Sequence, residues 1–116
     1  MPIFTPQSID FGIVAPGSTN SSEVVSNPFT AVEDHVTATI TNDTSGDGFK
    51  VQAVKGQEVQ TDGITPLTTR KGQTVVILVQ FVAAARLTAN AYTATLEIHG
   101  NTWTAPVPLT ALCALT

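Results

Sequence analysis

HVTATIT, residues 35–41, alternates without a break: Val36, Ala38 and Ile40 point one way, Thr37, Thr39 and Thr41 the other. A period of two is the signature of a strand with one face in a core and one in solvent. The same alternation returns in AYTATLEIH, residues 91–99. There Tyr92, Ala94, Leu96 and Ile98 oppose Thr93, Thr95, Glu97 and His99. TVVILVQF, residues 74–81, differs: Val75, Ile77, Val79 and Phe81 form one face, but Val76, Leu78 and Gln80 make the other face largely apolar too. Such a strand is either central and covered on both faces, or its outer face meets something else.

Around these runs, turn residues recur about every eight to twelve positions, as in all-β sandwiches and barrels. They are Ala15-Pro16-Gly17-Ser18, Ser26-Asn27-Pro28, Ser45-Gly46-Asp47-Gly48, Thr61-Asp62-Gly63, Lys71-Gly72 and His99-Gly100-Asn101. Strands are expected at 3–5, 8–14, 20–26, 34–42, 48–55, 64–69, 73–82, 91–99 and 102–112. No stretch sustains a helical period, although residues 83–89 have room for a single helical turn. Pro106 and Pro108 lie two apart, so both lost N–H groups fall on one side of the last strand. That side cannot make a full ladder, and the strand is expected to be an edge, or loosely paired, along it.

A chain of 116 residues is long enough for one core, and 42% hydrophobic residues argue against disorder. Charged residues are only 12%, and the net charge is −4. The five cations, Lys50, Lys55, Arg70, Lys71 and Arg86, are scattered in sequence, so no basic patch for nucleic acid is apparent. The longest apolar run, residues 75–85, is too short for a helix through a bilayer, and no signal-peptide pattern opens the chain. No membrane insertion is expected. Cys113 is the sole cysteine, which rules out an internal disulfide.

Five segments in order resemble the ASH (Hydin-type) immunoglobulin-like domains, a group whose kin include the major sperm protein and the pilus chaperones. SIDFGIVAPGST, residues 8–19, resembles their opening strand, with Ile9-Asp10-Phe11-Gly12 before the Pro16-Gly17-Ser18 turn. GDGFKV (46–51) resembles the glycine-rich turn with its core aromatic, here Phe49. RKGQTVVILVQF (70–81) resembles the glycine turn and following strand, and AYTATLEIHG (91–100) and VPLTAL (107–112) the last two strands. The resemblance implies one antiparallel immunoglobulin-like β-sandwich of seven to nine strands over residues 1–116. It also implies a non-enzymatic interaction or scaffolding role, often within a longer chain. In such a frame Tyr92 stands at the tyrosine-corner position, its ring in the core, and Gly12 and Gly17 suit backbone angles that a Cβ disfavours.

Candidate chemistry is sparse. NDTSGDGFKV, residues 42–51, has the Asp43, Ser45, Asp47 spacing of a calcium loop, but the twelfth position from Asp43 is Val54 rather than Glu, and the flanks read as strands. A turn accounts for its composition; Asp43 and Asp47 are weak metal candidates, and no cofactor is implied. His35 follows Glu33-Asp34 and His99 closes a strand, yet no nucleophile is placed beside either, and Cys113 has no visible histidine partner. Trp103 would stack on a sugar if exposed, but it shares parity with Ala105, Val107 and Leu109, which favours burial.

Two functions remain. The first is a structural or protein-interaction module, with a protein partner or a second copy meeting the face of Val76, Leu78 and Gln80. The alternative is a carbohydrate- or calcium-binding sandwich that uses Asp43, Asp47 and Trp103. Association is favoured by the low surface charge; the competing account of Val76 and Leu78 is a loop that covers them. The expected core is Val36, Ala38, Ile40, Phe49, Val75, Ile77, Val79, Phe81, Tyr92, Leu96, Ile98, Val107 and Leu109.

Overall fold

In the computed structural model, which describes residues 2–57, 59–84 and 90–113, the alternating runs become strands of two packed sheets. The strands are β1 Phe4–Thr5, β2 Ile9–Val14, β3 Thr19–Ser26, β4 Glu33–Thr41 and β5 Phe49–Lys55. After them come β6 Gln60–Thr61, β7 Leu67–Arg70, β8 Val76–Val82, β9 Asn90–His99 and β10 Thr104–Cys113. One sheet, A, has the order β1-β3-β8-β5-β6; the other, B, has β2-β10-β9-β4-β7. All nine expected strands are present, and β6 is an addition too short to show a period. The helical turn expected at residues 83–89 lies largely outside the described residues, which contain no helix.

Valine, isoleucine and threonine suit this architecture because a branched Cβ packs well on a pleated surface. The inward residues of the two sheets meet in one core, centred on Phe81, which is fully buried. Its ring centroid lies 4.6 Å from Phe49, 6.3 Å from Tyr92 and 6.4 Å from Phe11, spacings at which aromatic rings attract beyond their area burial. Every expected core residue is buried except Ile40, which is half-buried near the end of β4 and packs against the core from its margin.

Three departures from simple alternation matter. β2 pairs with β10 in parallel, unlike the other ladders, which are antiparallel. β10 is therefore not a simple sheet edge: β9 pairs with it from Thr104 to Cys113, and β2 stands opposite it from Leu109 onward. Pro106 and Pro108 fall in the half that β2 does not reach, where no second ladder needs their N–H groups. Finally, a bulge between Val51 and Ala53 reverses the parity of β5. Phe49 and Val54 face the core, whereas Lys50, Ala53 and Lys55 face outward beside Gln80, Leu78 and Val76.

The turns follow their residues. Gly12 and Gly17 have φ of 72° and 83°, where a Cβ would be strained. The Asp10 carboxylate accepts the Gly12 N–H at 2.8 Å and so holds the first of these bends.

Candidate interaction surfaces

The outward face of sheet A centres on β8. Val76, Leu78 and Gln80 are each half-buried there, neither open nor fully covered. Their neighbours on β3 are Val25, Glu23 and Ser21, all exposed; on β5 they are Lys55, Ala53 and Lys50. The result is a short apolar strip, Val25, Val76 and Leu78, with Glu23 on the β3 flank and Lys50 and Lys55 on the β5 flank; Ala53, between the two lysines, is buried. Alternation pointed to the β8 residues but carried no information on what stands beside them.

A second surface lies where β10 lacks β2. A groove of about 250 Å³ runs between Pro2, Ile3 and Phe4 on one side and Ala105, Pro106 and Val107 on the other. It follows from the proline pair, because the open half of β10 leaves a gap that the N-terminal segment only partly covers.

The polar cluster at the start of β4 gave no warning in the sequence. Asp34 is 4% exposed, and its carboxylate accepts three hydrogen bonds: from Trp103 Nε1 at 2.7 Å, Asn101 N at 2.7 Å and His35 N at 2.9 Å. Burial pushes this carboxyl up, but the bonds from Trp103, Asn101 and His35, with the nearby His35 charge, together hold it below its ordinary value. The His35 ring turns away to Asn101 Oδ1, 3.0 Å from Nδ1, so Asp34 and His35 do not form an acid–base pair. Trp103 is half-buried, with its ring 6.1 Å from Phe4 and 6.0 Å from Phe29. Its indole is a structural peg and not an open platform for a sugar.

His99 deserves a chemical test because its two ring nitrogens lie near a hydroxyl and a carboxylate. Thr104 Oγ1 is 3.1 Å from Nδ1 and Glu97 Oε2 is 3.5 Å from Nε2. A hydrolytic site would also need backbone donors for an oxyanion. The adjacent N–H groups are committed elsewhere, Gly100 to the Trp103 carbonyl and Asn101 to Asp34. His99 and Thr104 are direct cross-strand neighbours on an exposed sheet face, which accounts for their contact without chemistry.

The loop before β5 is a turn organised by one carboxylate. Asp43 Oδ1 accepts Ser45 N at 2.8 Å and Ser45 Oγ at 2.6 Å, and Oδ2 accepts Phe49 N at 3.2 Å. Asp47 is exposed and points to no shared centre: among the described residues, no group of three acidic, histidine or cysteine side chains converges as metal ligands would. Cys113 is buried at the end of β10.

No protein-family model and no curated protein matches the sequence. Solved structures do match in shape. The ASH/PapD-like domain 7 of human CEP192 superposes with a TM-score of 0.65 at 13% identity, over 99% of this chain and 86% of that one. WR4, a C. elegans MSP family member, superposes with 0.59 at 7% identity, over 98% of both chains.

The fold is that of the ASH/PapD-like and MSP domains.

A family 123 glycoside hydrolase from Clostridium perfringens contains a region of the same shape, with a TM-score of 0.76 at 9% identity over 95% of this chain. This chain spans only 23% of that protein. At such identities these likenesses are of fold, and a fold of this ASH/PapD-like kind hosts many activities. What this domain does must come from its own surface.

Proposed function

We propose that the chain is a non-enzymatic protein-interaction module, a single ASH-like domain that works through the outward face of sheet A, with Val76, Leu78 and Gln80 at its centre. The observation that carries this reading is the apolar strip on a central strand, only half-covered by its neighbours. Solvent-facing positions of β4 and β9 in sheet B are threonine, glutamate and histidine instead, the composition of a face that stays in water. Association through such a strip gains from apolar burial, and the flanking charges would set orientation. Loop-borne sugar or calcium binding has less support, because Trp103 is held by Asp34 and Asp43 by its own turn.

A photo-crosslinking pair tests the reading in cells that make the protein. Benzoylphenylalanine replaces Leu78 in one variant and Thr39, on the outer face of sheet B, in the other. Crosslinked protein species are expected from position 78 and not from 39. No crosslink from 78, or equal crosslinking from both, would remove the assignment of this face.

A further inference from the structure

The outward face of sheet A is asymmetric about β8. Glu23 stands on the β3 flank, level with Leu78; Lys50 and Lys55 stand on the β5 flank, level with Gln80 and Val76. All three charged side chains are exposed. In a chain of net charge −4, two cations against one anion is a local reversal of sign. Between the lysines, on the level of Glu23, the β5 residue is Ala53, whose short side chain is itself buried, so the exposed groups on that flank are the two lysines.

These positions are self-complementary under one rotation. A half-turn about an axis lying over β8 and parallel to it lays β3 of one copy across β5 of the other. Leu78 then meets Leu78, and Glu23 of each copy descends over Ala53 of the other, between Lys50 and Lys55. Adjacent outward residues on a strand are about 6–7 Å apart, so both ammonium groups are within reach of that carboxylate. A half-turn about an axis across the strands sets Glu23 over Glu23 and lysine over lysine, which repel.

We propose that the occupant of this face is a second copy of the chain, related by a two-fold axis parallel to β8, with Glu23 of each copy seated between Lys50 and Lys55 of the other. The inference rests on the reading that this face is the working surface, and it adds the partner and the orientation. Such an interface is isologous: each contact occurs twice, and both copies use the same patch. Opposed sheets would pack about 10 Å apart, as sheets do within a sandwich.

The test is sedimentation velocity over a concentration series, on wild type, Glu23→Lys, Lys50→Glu/Lys55→Glu, and an equimolar mixture of the two variants. All three positions are exposed, and unchanged Trp103 fluorescence checks that each variant is folded. Wild type is expected to form dimers, and each variant alone to raise the dimer dissociation constant roughly tenfold or more. The mixture is expected to recover dimers, because a lysine at 23 of one copy then faces glutamates at 50 and 55 of the other, and the second contact remains native. A wild type that stays monomeric to its solubility limit overturns the proposal. So does a dimer indifferent to Glu23→Lys, or a mixture that stays as monomeric as its components. The crosslinking at position 78 separates the two ideas: species that contain another protein, with a monomeric wild type, keep the interaction face and remove the second copy.

Discussion

Trp103 donates its indole N–H to the Asp34 carboxylate at 2.7 Å, across 69 residues of sequence, and so ties the start of β4 to the turn before β10. The same carboxylate collects the Asn101 and His35 N–H groups, which makes it the acceptor that organises one end of sheet B. Buried polar groups are tolerated where they are hydrogen-bonded, and a charged acceptor strengthens each bond.

Replacing Asp34 with alanine strands all three donors. The loss is expected to be about 2–3 kcal/mol, the penalty of leaving partly buried donors without a partner. Urea unfolding followed by Trp103 fluorescence measures it. A loss below about 0.5 kcal/mol would show that water replaces the carboxylate fully.

Acid should weaken the fold through the same residue. The folded pKa of Asp34 lies below its ordinary value of 3.8, so the ionised form favours the folded state. Its contribution is fully present above the unfolded value and is lost as the pH falls through the folded one. Urea midpoints from pH 7 down to below pH 4 should therefore fall further for wild type than for Asp34→Asn. Parallel curves would assign acid sensitivity to other carboxylates.

Gly100 has a steric duty. A Cβ there would fall on the Trp103 indole, so Gly100→Ala must displace the ring and break its bond to Asp34. A red-shifted emission and a lower unfolding midpoint are expected. Gly72, with φ of 87° and nothing within 4 Å of its Cβ position, is the control. Gly72→Ala should cost only the left-handed backbone penalty, about 1–2 kcal/mol, with the Trp103 spectrum unchanged.

The turn before β5 should not need calcium. Asp43→Ala removes the acceptor for Ser45 and Phe49 and is expected to cost about 1–2 kcal/mol. Calcium or a chelator should leave the wild-type Tm where it is. A rise on adding calcium would restore Asp43 and Asp47 as ligands.

Phe81 is the hub of the aromatic core, against Phe49, Tyr92 and Phe11. Phe81→Ala should cost about 3–5 kcal/mol, the range for truncating a fully buried aromatic ring. An effect near 1 kcal/mol in thermal or urea unfolding would mean that the neighbouring rings collapse into the space.

Parity alone determined which side of most strands is inside. Val36 and Ala38, Leu96 and Ile98 are buried because a strand with one apolar side has one way to leave water. The proline pair pointed to an edge, or loose pairing, along one side of the last strand; the structure confines this to the part before Leu109, because β2 pairs with β10 beyond it. Local rules fail where the backbone breaks its own period. The bulge after Val51 turns Lys55 outward, where unbroken alternation from Phe49 would bury it.

Only the tertiary structure decided who stands beside whom. That Glu23 and the two lysines flank Leu78 from opposite sides depends on β8 inserting between β3 and β5, strands distant in the chain. The Asp34–Trp103 bond and the parallel β2–β10 ladder have the same origin. Alternation is a property of one strand and its two faces. Neighbourhood is a property of the whole sheet, set by how all the inward faces can share one core at once, and no single segment carries it.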